Sequence, residues 1–284
     1  MNCVVCHHTV SHGLTGWHSQ CPHCRYEAAT LRVSINVPQA HASIDEEARE
    51  ASLKALRQAN FAEIVDHART YAPPGGRRLL DVGSAHGWFL EAAAPAFDAI
   101  GIEPDAEVGS KAAQRGFQVR QGYFPDALRS DETFDVIVFN DVIEHIPDIG
   151  SALRACHDRL NPGGILILNL PNSRGFFYRL SKLLVRLRIA GPFERMWQKS
   201  LPSPHLHYFD NQNLTRLLAG LGFSLVFQRE LPALRAQGLK ERLGYVGNPN
   251  PLVLWGQYVV IRCLIPVLRL FPSDIIVGIY RREG

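Results

Sequence analysis

The residues most able to do chemistry lie in Asp81-Val-Gly-Ser-Ala-His-Gly87 and at Glu103. The first stretch follows the apolar run Arg78-Leu-Leu-Asp81 and places Gly83 and Gly87 around a tight turn. A strand that runs into a glycine turn and then a helix presents free N–H groups at a helix N-terminus, where a small molecule can approach the backbone. Glu103 ends a second apolar run, Asp98-Ala-Ile-Gly-Ile102, about twenty residues further on. An acid in that place can accept from both hydroxyls of a ribose. The pair predicts a nucleoside ligand.

A second group is made of sulfur. Cys3-x2-Cys6 and Cys21-x2-Cys24 stand fourteen residues apart. Two such knuckles can supply four thiolates to one tetrahedral zinc, which closes the shell and leaves no position for a catalytic water. A structural zinc ribbon over residues 1–40 is therefore expected. His7, His8, His12, His18 and His23 crowd the same segment and read as surface histidines on short loops. Cys156 and Cys263 fall in apolar-periodic segments and read as buried thiols without a chemical role.

The type of nucleoside follows from what the turn lacks. A dinucleotide fingerprint needs G-x-G-x-x-G so that a pyrophosphate can sit on the glycines, whereas Ala85 and His86 stand between the two glycines here. Asp81 would repel a phosphate but suits an ammonium group. A ribose, no phosphate and an amino-acid end together describe S-adenosylmethionine. At this point the chain resembles class I S-adenosylmethionine-dependent methyltransferases, whose first motif is roughly D-x-G-x-G-x-G. The resemblance implies that Asp81 and Gly83 meet the methionine amino group, that Gly87 lets the methionyl end approach, and that Glu103 takes the ribose. It also implies an acid beside the adenine after the third strand. That place reads Gln121-Gly-Tyr-Phe124, so Gln121 or backbone N–H groups near Gly122 are the expected substitutes.

These residues need a frame. Short apolar strands at Arg78–Val82, Phe97–Ile102, Phe117–Gln121, Phe134–Phe139 and Ile165–Leu170 alternate with helical patterns near Trp88–Ala94, Ala106–Gln114 and Gly150–Leu160. This is the alternation of an α/β fold with a doubly wound, Rossmann-like, mostly parallel sheet. Asp81, Glu103, Gln121 and Asn140 all fall at or near carboxyl ends of strands, where such sheets bind ligands. A helix is expected from Ser43 to Tyr71, so residues 41–284 read as one domain. Phe223–Gln228 and Asp274–Tyr280 look like the last strands, which in class I methyltransferases form an antiparallel edge. Residues 229–273 between them are far longer than a hairpin needs and form an insertion.

Phe134-Asp-Val-Ile-Val-Phe-Asn-Asp-Val-Ile-Glu-His-Ile-Pro-Asp148 closely resembles a segment of ubiquinone-biosynthesis-like small-molecule methyltransferases. The likeness runs from about Leu79 to Phe223. It lacks the N-P-P-Y of base N-methylating enzymes and marks the superfamily rather than the substrate; a small-molecule or lipid-linked acceptor and O-methylation are expected, with C- or N-methylation open. Methyl transfer is mainly a matter of proximity and orientation, and a base is needed only for an acceptor that must lose a proton. His145 is the candidate base. His205 and His207, in the loop Leu201-Pro-Ser-Pro-His-Leu-His207, are candidates for the acceptor side. Asp141, Glu144 and His145 offer oxygen and imidazole ligands that permit a divalent metal at the active site. Two other readings are an RNA or protein methyltransferase docked through the zinc ribbon, and a non-catalytic S-adenosylmethionine-binding protein.

Net charge is +3 and charged residues make up 20% of the chain, which gives no sign of a nucleic-acid partner. The amino-terminal stretch lacks the features of a signal peptide, and the cysteine spacing suits a reducing cytoplasm. Phe176–Ile189 is a basic amphipathic pattern with Arg179, Lys182 and Arg186 on one stripe and Phe176, Leu180, Leu183, Leu184 and Leu187 on another. With the apolar run Leu252–Ile265 it suggests peripheral contact with the inner face of a membrane. Arg262 and Pro266 are expected to interrupt that run, so no transmembrane segment is anticipated.

Overall fold

The computed structural model describes residues 2–34, 46–246 and 250–284. The expected start of the first helix, at Ser43, and the boundary at residue 40 lie outside them. The chain begins with three short strands, β1 (Ser11–His12), β2 (His18–Gln20) and β3 (Glu27–Ala29), followed by the helix α1 (Glu46–Tyr71). Strands and helices then alternate: β4 (Arg78–Val82), α2 (Trp88–Ala93), β5 (Asp98–Glu103), α3 (Ala106–Gln114), β6 (Gln118–Gln121), β7 (Phe134–Asn140), α4 (Ile149–Arg159) and β8 (Leu160–Pro171). After them come α5 (Phe176–Arg186), α6 (Gly191–Met196), β9 (His207–Tyr208), α7 (Asn211–Ala219), β10 (Phe223–Leu231), α8 (Leu239–Val246), α9 (Pro251–Leu268) and β11 (Ile275–Arg282).

Seven strands form one sheet in the order β10-β11-β8-β7-β4-β5-β6. The pairs from β8 to β6 are parallel, and β11 runs antiparallel to both its neighbours. The sequence was expected to end in an antiparallel edge. The last two strands form that edge: β11 lies between β8 and β10, and β10 is outermost.

The central strands are apolar on both faces, as strands covered by helices on each side must be. Successive side chains point opposite ways. Leu80, Ile137, Phe139, Leu166 and Leu168 meet α4 and α7 on one face, through Leu153, Cys156, Leu214 and Leu218. Leu79, Val136, Val138, Ile165 and Ile167 meet α1 and α2 on the other, through Phe61, Ile64, Val65, Ala68 and Phe89. The result is a three-layer sandwich whose switch point, where chain order reverses, lies between β4 and β7.

The amino-terminal segment is built into this body. β1, β2 and β3 form a small antiparallel sheet whose fourth strand is β9, with Glu27 opposite Tyr208 and Ala28 opposite His207. Cys3, Val5, Cys6, Cys21 and Tyr26 pack in the same core as α4 and α7. His18, expected on the surface, is buried. One of its nitrogens is 2.8 Å from Glu27, whose carboxylate also accepts from the Tyr178 hydroxyl at 2.7 Å and from Lys182 at 2.6 Å. Burial opposes a charge on Glu27, yet His18, Lys182 and Tyr178 together hold its pKa below the ordinary carboxylate value.

Two helices depart from expectation. α5 turns Tyr178, Ser181 and Lys182 inward, toward Glu27 and an aromatic cluster with Phe193, Trp197 and Tyr208. Its leucine stripe, Leu180, Leu183 and Leu187, therefore remains exposed. α9 runs through both Arg262 and Pro266. Proline deprives the carbonyl four residues earlier of a partner, but that carbonyl belongs to Arg262, an exposed residue. Cys263 is exposed as well, whereas Cys156 is buried as expected.

Candidate active site

A cavity of about 390 Å³ opens at the carboxyl ends of β4, β5 and β7. One end is formed by the turn after β4. Gly83, Ala85 and Gly87 all have positive φ, at 73°, 44° and 76°. Gly83 is fixed by space as well as by angle, since a Cβ there would lie 2.5 Å from Val142 Cγ2. The Gly83 and Ser84 N–H groups donate to the Ile102 carbonyl, which ties the turn to β5. Glu103 completes the clamp: one carboxylate oxygen accepts from the Ala85 N–H and the other from the Asp105 N–H, both at 2.9 Å. Each oxygen keeps a further lone pair, and Glu103 lines the cavity. Burial raises its pKa.

Asp81 lies under this turn, 1% exposed. The Asn140 amide donates to it at a long 3.5 Å. Burial pushes the Asp81 carboxyl up to about 7, as expected of an acid that lacks a cation. Asp81 is not itself among the residues that line the cavity; its neighbours Val82 and Gly83 are. Gly122, Tyr123 and Phe124 line the same end, and so does Trp88. Gln121, expected near the adenine, is exposed at the end of β6 and is not among the lining residues.

The other end is formed by the segment after β7 and by the loop before β9. Asp141 adopts φ 54° and pairs with Arg57 of α1 at 3.7 Å. Ile143–His145 then form a single 3-10 turn. Glu144 is fully buried, and neither of its carboxylate oxygens has a hydrogen-bond partner among the described residues. One of these oxygens is 3.9 Å from His145 Nε2 and 3.9 Å from His205 Nε2. The three donor atoms lie within 4.8 Å of one another. Burial and the nearby Asp141 raise the Glu144 pKa well above the ordinary value. His205 is driven well below its own, first by burial and then by His145. An oxygen and two imidazole nitrogens suit a divalent transition metal.

The ligand set expected from sequence was Asp141, Glu144 and His145. The structure brings His205, not Asp141, together with Glu144 and His145, because Asp141 is turned toward Arg57. His207 is placed elsewhere. Its Nε2 donates to the Ile146 carbonyl at 2.9 Å, and its Nδ1 accepts from the Tyr26 hydroxyl. Both nitrogens are thus committed, and His207 ties the amino-terminal sheet to the turn after β7. Arg57, Val33 and Gln198 line the cavity without having been expected there. Gln198 approaches His205 Nε2 at 2.8 Å. No local signal marks these three residues, since each reaches the cavity only through the tertiary fold.

The four cysteines of the amino-terminal segment converge. Their sulfurs lie within 4.8 Å of one another, with Cys3–Cys24 at 3.4 Å and Cys6–Cys21 at 3.5 Å. A tetrahedron of Zn–S bonds of about 2.3 Å has edges of about 3.8 Å, so the donor set fits that ion.

A family model described as a methyltransferase domain matches residues 48–228. A ubiquinone biosynthesis O-methyltransferase of Azorhizobium caulinodans is 34% identical over 112 residues, which cover 37% of this chain and 44% of that protein. A protein of the same name from a Caulobacter species is 28% identical over 169 residues, 55% of this chain and 66% of that one. The chain thus spans 44% to 66% of the length of these two curated relatives. Among solved structures, a SAM-dependent methyltransferase from Archaeoglobus fulgidus aligns with a TM-score of 0.53 at 18% identity, covering 84% of this chain and 100% of that one. A complex between the Haloferax volcanii Trm112 methyltransferase activator and a methyltransferase aligns at 0.55 and 13% identity, covering 84% and 95%. These structural likenesses establish the shared fold.

Proposed function

The chain belongs to the methyltransferase-domain family, and on that premise we propose that it transfers a methyl group from S-adenosylmethionine to a hydroxyl of a small-molecule or lipid-linked acceptor. The observation that carries this reading is the continuity of one cavity from the glycine turn and Glu103 at one end to His145 and the 198–203 loop at the other. Donor and acceptor held in one cavity meet the main requirement of an in-line displacement at an already activated methyl group. The names of the curated relatives support oxygen as the acceptor atom.

In this reading the Asp81 carboxylate faces the methionine ammonium, and the turn at Gly83 and Gly87 admits the methionyl end. Glu103 uses its remaining lone pairs on the ribose hydroxyls, with Asn140 holding Asp81 in place. Gly122 and Tyr123 border the adenine, and Gln121 takes no part. Glu144, His145 and His205 would hold a divalent metal, and such an ion would supply Lewis-acid chemistry beside the cavity, which His145 alone of the three lines. His145, which lines the cavity, directs the acceptor toward the methyl group. Cys3, Cys6, Cys21 and Cys24 hold a structural zinc, and four thiolates of that kind suit a reducing cytoplasm.

Asp81 gives the proposal a pH signature. Its pKa of about 7 means that in the ligand-free protein the carboxyl is neutral below that pH. Because the folded value is raised, the stability linked to this group is fully present below about pH 4 and is lost as pH rises through about 7. An ammonium ligand acts in the opposite sense, since it binds the ionised form and expels the proton. S-adenosylmethionine is expected to bind about tenfold more tightly at pH 8 than at pH 6, and Asp81→Asn is expected to flatten that dependence. Calorimetry in two buffers of different ionisation enthalpy measures the proton release directly. A flat wild-type profile would remove Asp81 from the cofactor site.

A further inference from the structure

We propose that α9 and the leucine stripe of α5 form one docking surface for an anionic lipid bilayer, with α9 lying in the plane of the membrane. α9 covers only a narrow stripe of itself against the body, and Ile265 is its single buried residue. Its exposed side chains are apolar almost all round. Leu252 is 80% exposed, Trp255 67% and Val260 58%, and the following Leu270 is 82% exposed. Alongside α9, α5 leaves Leu180, Leu183 and Leu187 in solvent. The two segments meet, since the Phe176 ring at the start of α5 lies 4.8 Å from Phe271 just beyond α9. A helix that is apolar on its outer surface does not rest in water; it needs a cover.

Charge selects the cover. Residues 160–192 and 242–273 contain no acid. Arg179, Arg186 and Arg188 on one side and Arg262 and Arg269 on the other are exposed, and none is ion-paired among the described residues. Exposed leucine, valine and tryptophan bordered by unpaired arginines match the acyl boundary and the anionic headgroups of a bilayer. A tryptophan at such a boundary is the side chain expected there.

Topology decides between lying on the bilayer and crossing it. By length and composition alone α9 could cross. Its 18 residues span about 27 Å. However, α8 before it packs against α1, where Gly238 meets Ala55, and β11 after it lies inside the sheet between β10 and β8. A single crossing would leave α8 and β11 on opposite faces of the membrane, although they belong to one packed body. An in-plane helix keeps both on the same side. The surface connects to the cavity through neighbouring elements: α8 packs on α1, which carries Arg57, and α5 packs on α6, which leads into the 198–203 loop. Delivery of a lipid-linked acceptor along this route rests on the methyl-transfer reading; docking itself does not.

Flotation of the full chain with vesicles tests docking without any cofactor. The protein is expected to float with vesicles containing phosphatidylglycerol, less with pure phosphatidylcholine, and less again at high salt. Trp255 emission should shift to the blue and be quenched by brominated acyl chains. Trp255→Ser with Leu264→Ser should lower the partition coefficient about 100-fold on either lipid. Arg186→Ala with Arg188→Ala should lower it about 25-fold on anionic vesicles only. Absence of flotation overturns the proposal, as does flotation that ignores both pairs of substitutions. A stable dimer in which Trp255 is already shielded without lipid also overturns it, because a second copy would then be the cover.

Discussion

Cys21→Ser is expected to strip the zinc from the purified protein and to lower its thermal midpoint by about 10 °C or more. Structural zinc sites bind with apparent free energies on the order of 10 kcal/mol, which becomes folding free energy when the site is absent from the unfolded chain. Part of that loss is enough for the stated shift, since about 1 kcal/mol moves the midpoint of a chain this long by a few degrees. The effect should not stay local. β3 pairs with β9, Tyr26 is hydrogen-bonded to His207, and Glu27 is bonded to Tyr178 and Lys182. The segment that carries the cysteines therefore braces the loop that carries His205 and lines the cavity. Zinc content by emission spectroscopy and a thermal melt check the expectation together. A wild-type protein without zinc, or a variant that melts unchanged, would contradict it.

Glu144→Met is expected to separate activity from stability. A fully buried carboxyl without a partner costs free energy in the metal-free protein, about 1–3 kcal/mol. An apolar side chain of similar volume removes that cost, so the metal-free variant should melt higher than the metal-free parent. The same change removes a metal ligand, and kcat/KM should fall about a thousandfold, or roughly 4 kcal/mol of lost stabilisation. Metal titration followed by melting gives a second reading: divalent ions should raise the midpoint of the parent and leave that of the variant unmoved. A structural glutamate would behave differently, because its removal would lower stability and leave metal sensitivity intact.

Much of this site was legible in the sequence because buried parallel strands are apolar throughout and end abruptly. The limits of β4 and α3 coincide with the expected ones, and Gly83, Glu103 and Asn140 line the cavity at the carboxyl ends of the strands, whereas Asp81, Gly87 and Gln121 do not. What was not legible depends on contacts between distant residues. Tyr26 and His207 are 181 positions apart, so nothing local distinguishes His207, which braces the fold, from His205, which faces Glu144. Asp141 was read with Glu144 and His145 as one ligand set, but its backbone is left-handed, its carboxylate pairs with Arg57, and it is His205 that lies with the other two. The amphipathic pattern of α5 was visible, but the choice of inner face was set by Glu27, which draws Lys182 and Tyr178 inward and leaves the leucines outside.

The central claim is that the cavity takes S-adenosylmethionine with Glu103 on its ribose. Calorimetric titration of the wild type and of Glu103→Ala tests it most directly. The wild type should bind one S-adenosylmethionine per chain, and the variant should bind about 30-fold more weakly, the equivalent of roughly 2 kcal/mol in charge-assisted hydrogen bonds. Failure of the wild type to bind, or equal affinity in the two proteins, would contradict the account.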